Sequence, residues 1–274
     1  MAQHPQLPLN KQGAAIRAMF ASVARRYDLL NSLLSFTCDR RWRKFAARVS
    51  GLRPGMRVLD ACAGTGDLAI AYAEAMDGGM VVATDFCHEM LKLARPKLET
   101  RNLADCVRVV EADALCLPFP DGAFDVSTVA FGIRNVADLD AGIREMARVV
   151  KPGGRVVILE FAPRTATWFH TLYKFYMTRV LPVVGRVVSG SKVDAYRYLT
   201  SSVLAFADAA ELRRRMETCG LANVTIHPKT FGIVSVLVAE KRLSPARPGG
   251  EVPTNSGRQR ISPTDNGTPT DGAS

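Results

Sequence analysis

The chain has 274 residues, 47% of them hydrophobic and 23% charged, with a formal net charge of +10. That length suits one large α/β domain or two small ones, and the composition is that of an ordinary soluble globular chain. No run approaches the roughly 18 uninterrupted apolar residues of a membrane-spanning helix, which argues against one.

The opening residues, MAQHPQLPLNKQ, lack a charged stretch followed by an apolar one, so no secretory signal is expected and a cytoplasmic location is. Six cysteines (38, 62, 87, 106, 116 and 219) are scattered without a C-x-x-C pair. Free, mostly buried thiols fit this better than a disulfide framework or a zinc site. In residues 242–274 four Arg oppose three acids, so the body of the chain carries +9. Such a balance suits an anionic partner without choosing among nucleic acid, an acidic lipid surface and a charged metabolite.

Residues 1–13 read as a flexible N-terminus and 14–241 as one domain. The domain opens with a helical cap over 14–50, in which FASVARRYDLLNSLLSFTCDRRWRK places Tyr27, Asp28 and Asn31 among apolar residues at helical spacing. Laid over a sheet edge, Leu30, Leu33 and Leu34 would shield a site, and Tyr27 and Asn31, one turn apart, would meet its substrate. A packing helix whose polar residues cap it or face solvent is the competing reading.

Further along, short β-branched runs alternate with helical stretches. The expected strands are 57–62, 81–85, 107–113, 124–131, 155–161, 224–229 and 234–241, with helical segments DLAIAYAEAM, HEMLKLARPKLETRN and DLDAGIREMARVV between the early ones. In the last, Leu139, Ile143 and Met146 share a face while Arg144 and Glu145 turn outward, and Lys151-Pro152-Gly153-Gly154 is expected to stop the helix. Alternation of this kind implies an α/β fold with a mostly parallel sheet covered on both sides. The final two strands have no helix between them, and TFGI joins them as an antiparallel hairpin. Residues 242–274, rich in Pro, Gly, Ser and Thr, read as a disordered tail. A seven-stranded, doubly wound sheet ending in such a hairpin is the Rossmann-like architecture of methyltransferases.

The first strand leads into Asp60-Ala61-Cys62-Ala63-Gly64-Thr65-Gly66-Asp67. Small residues there let backbone approach a ligand at the carboxyl end of the strands. A dinucleotide fingerprint would carry a third glycine. Here it is missing, and Asp60 and Asp67 flank the turn, repelling a pyrophosphate and suiting a cation. S-adenosylmethionine carries a sulfonium and an ammonium and no phosphate. The second strand ends in Asp85, placed to accept from ribose hydroxyls, and the third in Asp113-Ala114, placed to meet an adenine edge. The rival reading, that these acids merely cap helices, does not account for acids at all three strand ends.

The chain resembles the menaquinone and ubiquinone biosynthesis C-methyltransferases over residues 16–241. The resemblance rests on YDLLNSLLSFTCDRRW (27–42), AFGIRN (130–135), RVVKPGGRVVILEFA (148–162), DAYRYLTSS (194–202) and TFGIV (230–234). It implies methylation of the ring of a polyprenylated quinol, demethylmenaquinol or its benzoquinol counterpart, with Thr65, Asp85, Asp113 and Ala114 binding the donor. Asp39 stands where the family usually has His, Ala130 where Ser commonly contacts the donor, and Ala162 where Ser follows Glu160-Phe161. The first departure puts an acid–base role at that position in doubt.

A quinol hydroxyl titrates near the phenol value of about 10, so its deprotonation needs help at neutral pH. Arg134 stays protonated and cannot be the base; it is expected to stabilise the oxyanion, with Asn135 donating a hydrogen bond to a ring oxygen. The alternative is that Arg134 pairs with Glu160 and closes the sheet. Asp85, Asp28 or a held water are candidates for the proton acceptor. Residues 163–199 form a helical insertion in which six Lys or Arg oppose only Asp194. It reads either as a basic, aromatic lid resting on an anionic membrane surface at the inner face of the membrane or as ordinary packing. RNA as acceptor is disfavoured, because no Asn-Pro-Pro-Tyr-like turn or Pro-Cys nucleophile is present. A donor-binding sensor without catalysis and a nicotinamide oxidoreductase are the other readings weighed, against the intact Arg134-Asn135 pair and the missing glycine.

Overall fold

The computed structural model describes residues 16–22, 24, 28, 35, 37–161, 179, 198 and 201–243. Its strands are β1 (Arg57–Ala61), β2 (Met80–Asp85), β3 (Val107–Glu111), β4 (Phe124–Ala130), β5 (Val150–Phe161), β6 (Leu221–Lys229) and β7 (Val234–Lys241). They form one sheet in the order β3-β2-β1-β4-β5-β7-β6. Neighbours from β3 to β5 pair in parallel, whereas β7 runs antiparallel to both β5 and β6. The helices are α1 (Cys38–Val49), α2 (Asp67–Ala75), α3 (His88–Thr100), α4 (Leu139–Arg148) and α5 (Ala209–Thr218). No helix among the described residues is long and apolar enough to cross a membrane.

Burial on both faces explains why the strands read as unbroken β-branched runs. In β5, Val156 and Ile158 pack with Ile143 and Met146 of α4 and with Leu212 and Met216 of α5. The alternate residues Val157 and Leu159 join Trp42 and Ala46 of α1 and Tyr72 of α2 on the other face. The Asp138 side chain starts α4 by accepting the Ala141 N–H at 2.9 Å.

Several local expectations are corrected. The α4 helix ends at Arg148, and the Phe124 N–H already meets the Val149 carbonyl at 3.0 Å. Residues 151–154 therefore belong to the entry of β5, where a register shift between Phe124 and Val126 absorbs the irregularity. Glu145 turns back to accept the Leu117 N–H at 2.8 Å and the Arg148 guanidinium at 2.7 Å. The β6 strand begins at Leu221, earlier than the apolar run suggested, because a bulge between Ala222 and Thr225 lets pairing continue. All six cysteines are free, but Cys87 alone is buried and Cys116 is exposed.

Residues 16–22 are helical, as are 38–49 within the expected cap. The readings of 1–13, of Tyr27, Leu30, Asn31, Leu33 and Leu34, of nearly all of 163–199 and of the tail beyond Leu243 lie outside the described residues.

Ile143 is fully buried at the α4–sheet contact. Ile143→Ala is expected to cost about 2–5 kcal/mol in urea unfolding, whereas exposed Lys92→Ala stays within about 0.5 kcal/mol.

Candidate active site

The sheet order reverses between β1 and β4, and at such a switch point an open α/β sheet leaves a crevice beyond its strand ends. Here the loops leaving β1 and β4 touch. Gly132 carries no side chain, and a Cβ there would overlap the Cβ of Cys62. The crevice is lined by Gly64, Asp85, Asp113, Ala114, Ala130 and Asn135, six of the residues singled out from the sequence. Phe86 and Met90, with Ile16 and Phe20 from the helical stretch 16–22, supply an apolar wall that sequence reasoning missed. Arg17 ties that stretch down by donating to the Phe86 carbonyl at 2.6 Å and pairing with Glu111 at 2.5 Å.

Asp85 closes the end of β2. Its Oδ2 accepts the Gly64 N–H and its Oδ1 the Cys87 N–H, each at 2.8 Å. Burial pushes its carboxyl up from the usual range, against the pull of these N–H groups. At the end of β3, Asp113 is exposed and accepts the Leu115 N–H at 2.9 Å. Among the described residues no Lys or Arg lines the crevice. Two carboxylates, a glycine and small apolar residues fit a ligand that has cationic and ribosyl groups and no phosphate, as S-adenosylmethionine has.

Other expected contacts lie behind the crevice. The Asp60 side chain is fully buried, and neither oxygen has a hydrogen-bond partner among the described residues. Burial pushes its carboxyl well above the usual range. Thr65 is 2% exposed; it donates to Asp28 at 2.5 Å and accepts from Lys97 at 3.0 Å. Lys97 also pairs with Asp28 at 2.5 Å and Asp67 at 2.8 Å. Asp28 thus fastens the N-terminal segment to the glycine loop. Gly66, at φ 83, lets α2 start against Ala94 of α3.

The AFGIRN stretch divides its two polar residues. Phe131 turns at φ 56, and the chain then forms a 3₁₀ turn over Ile133–Asn135. Arg134 points inward, 5% exposed, donating to Glu160 at 2.8 Å and to the Phe131 carbonyl at 2.5 Å. This is the ion pair weighed as the alternative; the guanidinium does not line the crevice, which corrects the expected direct oxyanion contact. Burial pushes the Glu160 carboxyl up while Arg134 pulls it back. Asn135 does face the crevice, and its Oδ1 accepts the Tyr198 hydroxyl at 3.1 Å. Tyr198 sits in DAYRYLTSS, whose polar tyrosines were the available signal. Asp39 is buried, accepting from Ser35 at 2.8 Å and paired with Arg43.

Removing one partner of a buried pair strands the other. Arg134→Met is expected to cost about 3–5 kcal/mol in urea unfolding, and adding Glu160→Gln to recover much of it; additive losses would refute the pairing. Asp60 is the opposite case. A carboxyl whose folded pKa is raised binds its proton more tightly when folded, so it costs stability as pH rises above its unfolded value of about 3.9. Asp60→Asn should match the parent below about pH 4 and gain stability on it as pH rises, measured as unfolding midpoint against pH.

The profile of the ubiE/COQ5 methyltransferase family matches residues 9–241. The chain is 47% identical to the demethylmenaquinone methyltransferase of Thermus thermophilus, over 81% of this chain and all of that protein. It is 43% identical to the ubiquinone/menaquinone biosynthesis C-methyltransferase UbiE of Geobacter sulfurreducens, over 86% of this chain and 91% of that one. In fold it is similar to a SAM-dependent methyltransferase from Thermotoga maritima, with a TM-score of 0.56 at 18% identity, over 82% of this chain and 99% of that one. Glycine loop, strand-end acids and sequence agree over the whole folded body: the chain belongs to the ubiE/COQ5 methyltransferase family.

Proposed function

We propose that this protein transfers a methyl group from S-adenosylmethionine to a ring carbon of demethylmenaquinol, giving menaquinol. The observation that carries the reading is a crevice at the switch point with carboxylates at two strand ends, no lining cation among the described residues, and Asn135 facing in. The name borne by the Thermus relative supports the naphthoquinol ring; that of the Geobacter relative covers the benzoquinol ring as well.

When bound, the donor supplies an electrophilic methyl on a sulfonium sulfur. Asp85 would accept from ribose hydroxyls with the lone pairs left over from Gly64 and Cys87. Asp113 and Ala114, which line the crevice with Ala130, would hold the adenine. Ile16, Phe20, Phe86 and Met90 exclude water, which strengthens every polar contact inside.

A ring carbon becomes a competent nucleophile once the neighbouring hydroxyl has lost its proton. With its Oδ1 engaged by Tyr198 and one amide hydrogen donated to the Phe131 carbonyl at 3.5 Å, Asn135 keeps a second N–H that would meet the ring oxygen and stabilise the charge that gathers there. Arg134 acts through Asn135: bonded to the Phe131 carbonyl and to Glu160, it holds the turn that presents the amide. Asp28 is bound by Thr65 and Lys97, and Asp85 by the Gly64 and Cys87 N–H groups, which leaves a water held by the polar groups of the crevice as the proton acceptor. The prenyl tail keeps the substrate in a lipid phase, so the reaction takes place at a membrane surface facing the cytoplasm.

Incubation with methyl-labelled donor and a short-chain demethylmenaquinol is expected to yield ring-methylated menaquinol. Asn135→Ala should lower kcat about a hundredfold with donor affinity unchanged. Asp85→Ala should weaken donor binding itself. Label entering tRNA, or only a benzoquinol analogue, would overturn the assignment.

A further inference from the structure

The outer face of α1 carries a row of cations. Arg40, Arg41, Lys44 and Arg48 are all exposed, and at about 100° per residue they fall within about a third of the helix circumference. The opposite face buries Trp42 and Ala46 against the sheet. Lys44 lies 3.9 Å from Glu74, and no carboxylate pairs with Arg40, Arg41 or Arg48 among the described residues. Lys229, at the end of β6, joins Arg41, Lys44 and Arg48 around a shared groove, with its ammonium 3.2 Å from the Phe45 ring centroid.

Beside this row the β6–β7 turn presents Phe231, which at 76% exposure is the most exposed large apolar side chain among the described residues. Thr230, Phe231 and Gly232 all adopt positive φ (47, 56 and 86). A bulky residue rarely accepts that conformation, and here the strained turn holds most of the ring in solvent. Trp42 Nε1 donates to Thr230 Oγ1 at 3.0 Å, which fixes the turn to α1.

Position selects the partner. Val234, the first residue of β7, pairs with Phe161, the last of β5, so the turn stands at the carboxyl edge of the sheet. The crevice opens at that same edge.

We propose that the α1 cations and Phe231 form a docking surface for an anionic phospholipid bilayer, with the ring entering the interface and the cations meeting lipid phosphates. The charge complementarity is with a plane of negative headgroups. A nucleic acid of the same charge would call for several open aromatic faces, yet Phe45 is covered by Lys229 and by Arg48 at 5.1 Å. None of the residues of this surface belongs to the 163–199 stretch of the sequence. Its purpose, bringing the crevice to a lipid-tailed quinol, rests on the function proposed above; the binding does not.

The test is flotation of the full chain with phosphatidylcholine vesicles, with and without phosphatidylglycerol, and without quinol. The parent is expected to float with the anionic vesicles and to release at high salt. Arg41→Gln/Lys44→Gln/Arg48→Gln should weaken binding roughly a hundredfold. Phe231→Asn, which keeps a residue tolerant of positive φ, should weaken it roughly tenfold. Both variants should keep the parent's melting temperature and its turnover of a short-chain quinol in detergent, while losing turnover of a long-chain quinol in vesicles. Variants that float like the parent, a parent that does not float, or loss confined to single-stranded RNA binding would each overturn the docking surface. Failure of every quinol to react, with flotation intact, would count against the substrate instead.

Discussion

Two backbone N–H groups, of Gly64 and Cys87, converge on separate oxygens of the Asp85 carboxylate, and the crevice takes its form from that convergence. A loop turning sharply after β1 exposes peptide groups that need partners, and a charged acceptor satisfies them at about 1.5–3 kcal/mol each. The Ala63 N–H bonded to the Thr84 carbonyl at 2.8 Å extends the same seam. Because Cys87 is the N-cap of α3, the carboxylate also sits at the positive end of that helix. One side chain therefore fixes the glycine loop, the end of β2 and the start of α3, and still lines the crevice.

Behind the crevice the protein buries charge on a scale that stability alone would not favour. Arg134 and Glu160 are paired in the interior, as are Arg43 and Asp39, and Asp60 lies buried as well. Buried pairs return little net stability compared with apolar residues of the same volume. What they do here is hold a strained turn. The Phe131 and Phe161 rings pack at 4.8 Å, tilted by 40°, with the Arg43 guanidinium 5.6 Å from the first and that of Arg134 5.7 Å from the second. Phe131 sits at φ 56, a conformation costing on the order of 1–3 kcal/mol. With its ring gripped by one cation and its carbonyl by another, the turn delivers Asn135 to the crevice. Asp39 belongs to this support through its pair with Arg43.

The strands were legible because a parallel sheet covered on both sides needs unbroken β-branched runs, and turn residues bound each one. Gly64, Asp85, Asp113, Ala114, Ala130 and Asn135 were legible for a related reason: they sit at strand ends, and strand ends surround the crevice. The same double burial hid the rest. When both faces of β1 are interior, alternation cannot say that Asp60 points under α2 and not toward the ligand. Arg134 and Asn135 are adjacent, and only the 3₁₀ turn decides which faces inward. Ile16 and Phe20 reach the crevice, and Tyr198 reaches Asn135, from sequence positions far from any strand end, by packing that no local pattern records. The start of β5 escaped because Lys151-Pro152-Gly153-Gly154 has the composition of a helix stop, yet pairing with β4 had already begun at Val149.

The antiparallel hairpin that ends the sheet has a consequence beyond completing the fold. Had β7 entered in parallel like its predecessors, its first residue would lie at the amino edge, far from the crevice. Running the other way, it begins opposite Phe161, and the residues before it return to the carboxyl edge. The α1 helix meets them there through Trp42, whose ring also packs at 6.0 Å from Phe131 and 6.4 Å from Phe161. The aromatic pair that steadies Asn135 and the turn that carries Phe231 thus share one indole. Strand direction, set by a connection too short for a crossover helix, places the chemistry and the surface beside it on the same side of the molecule.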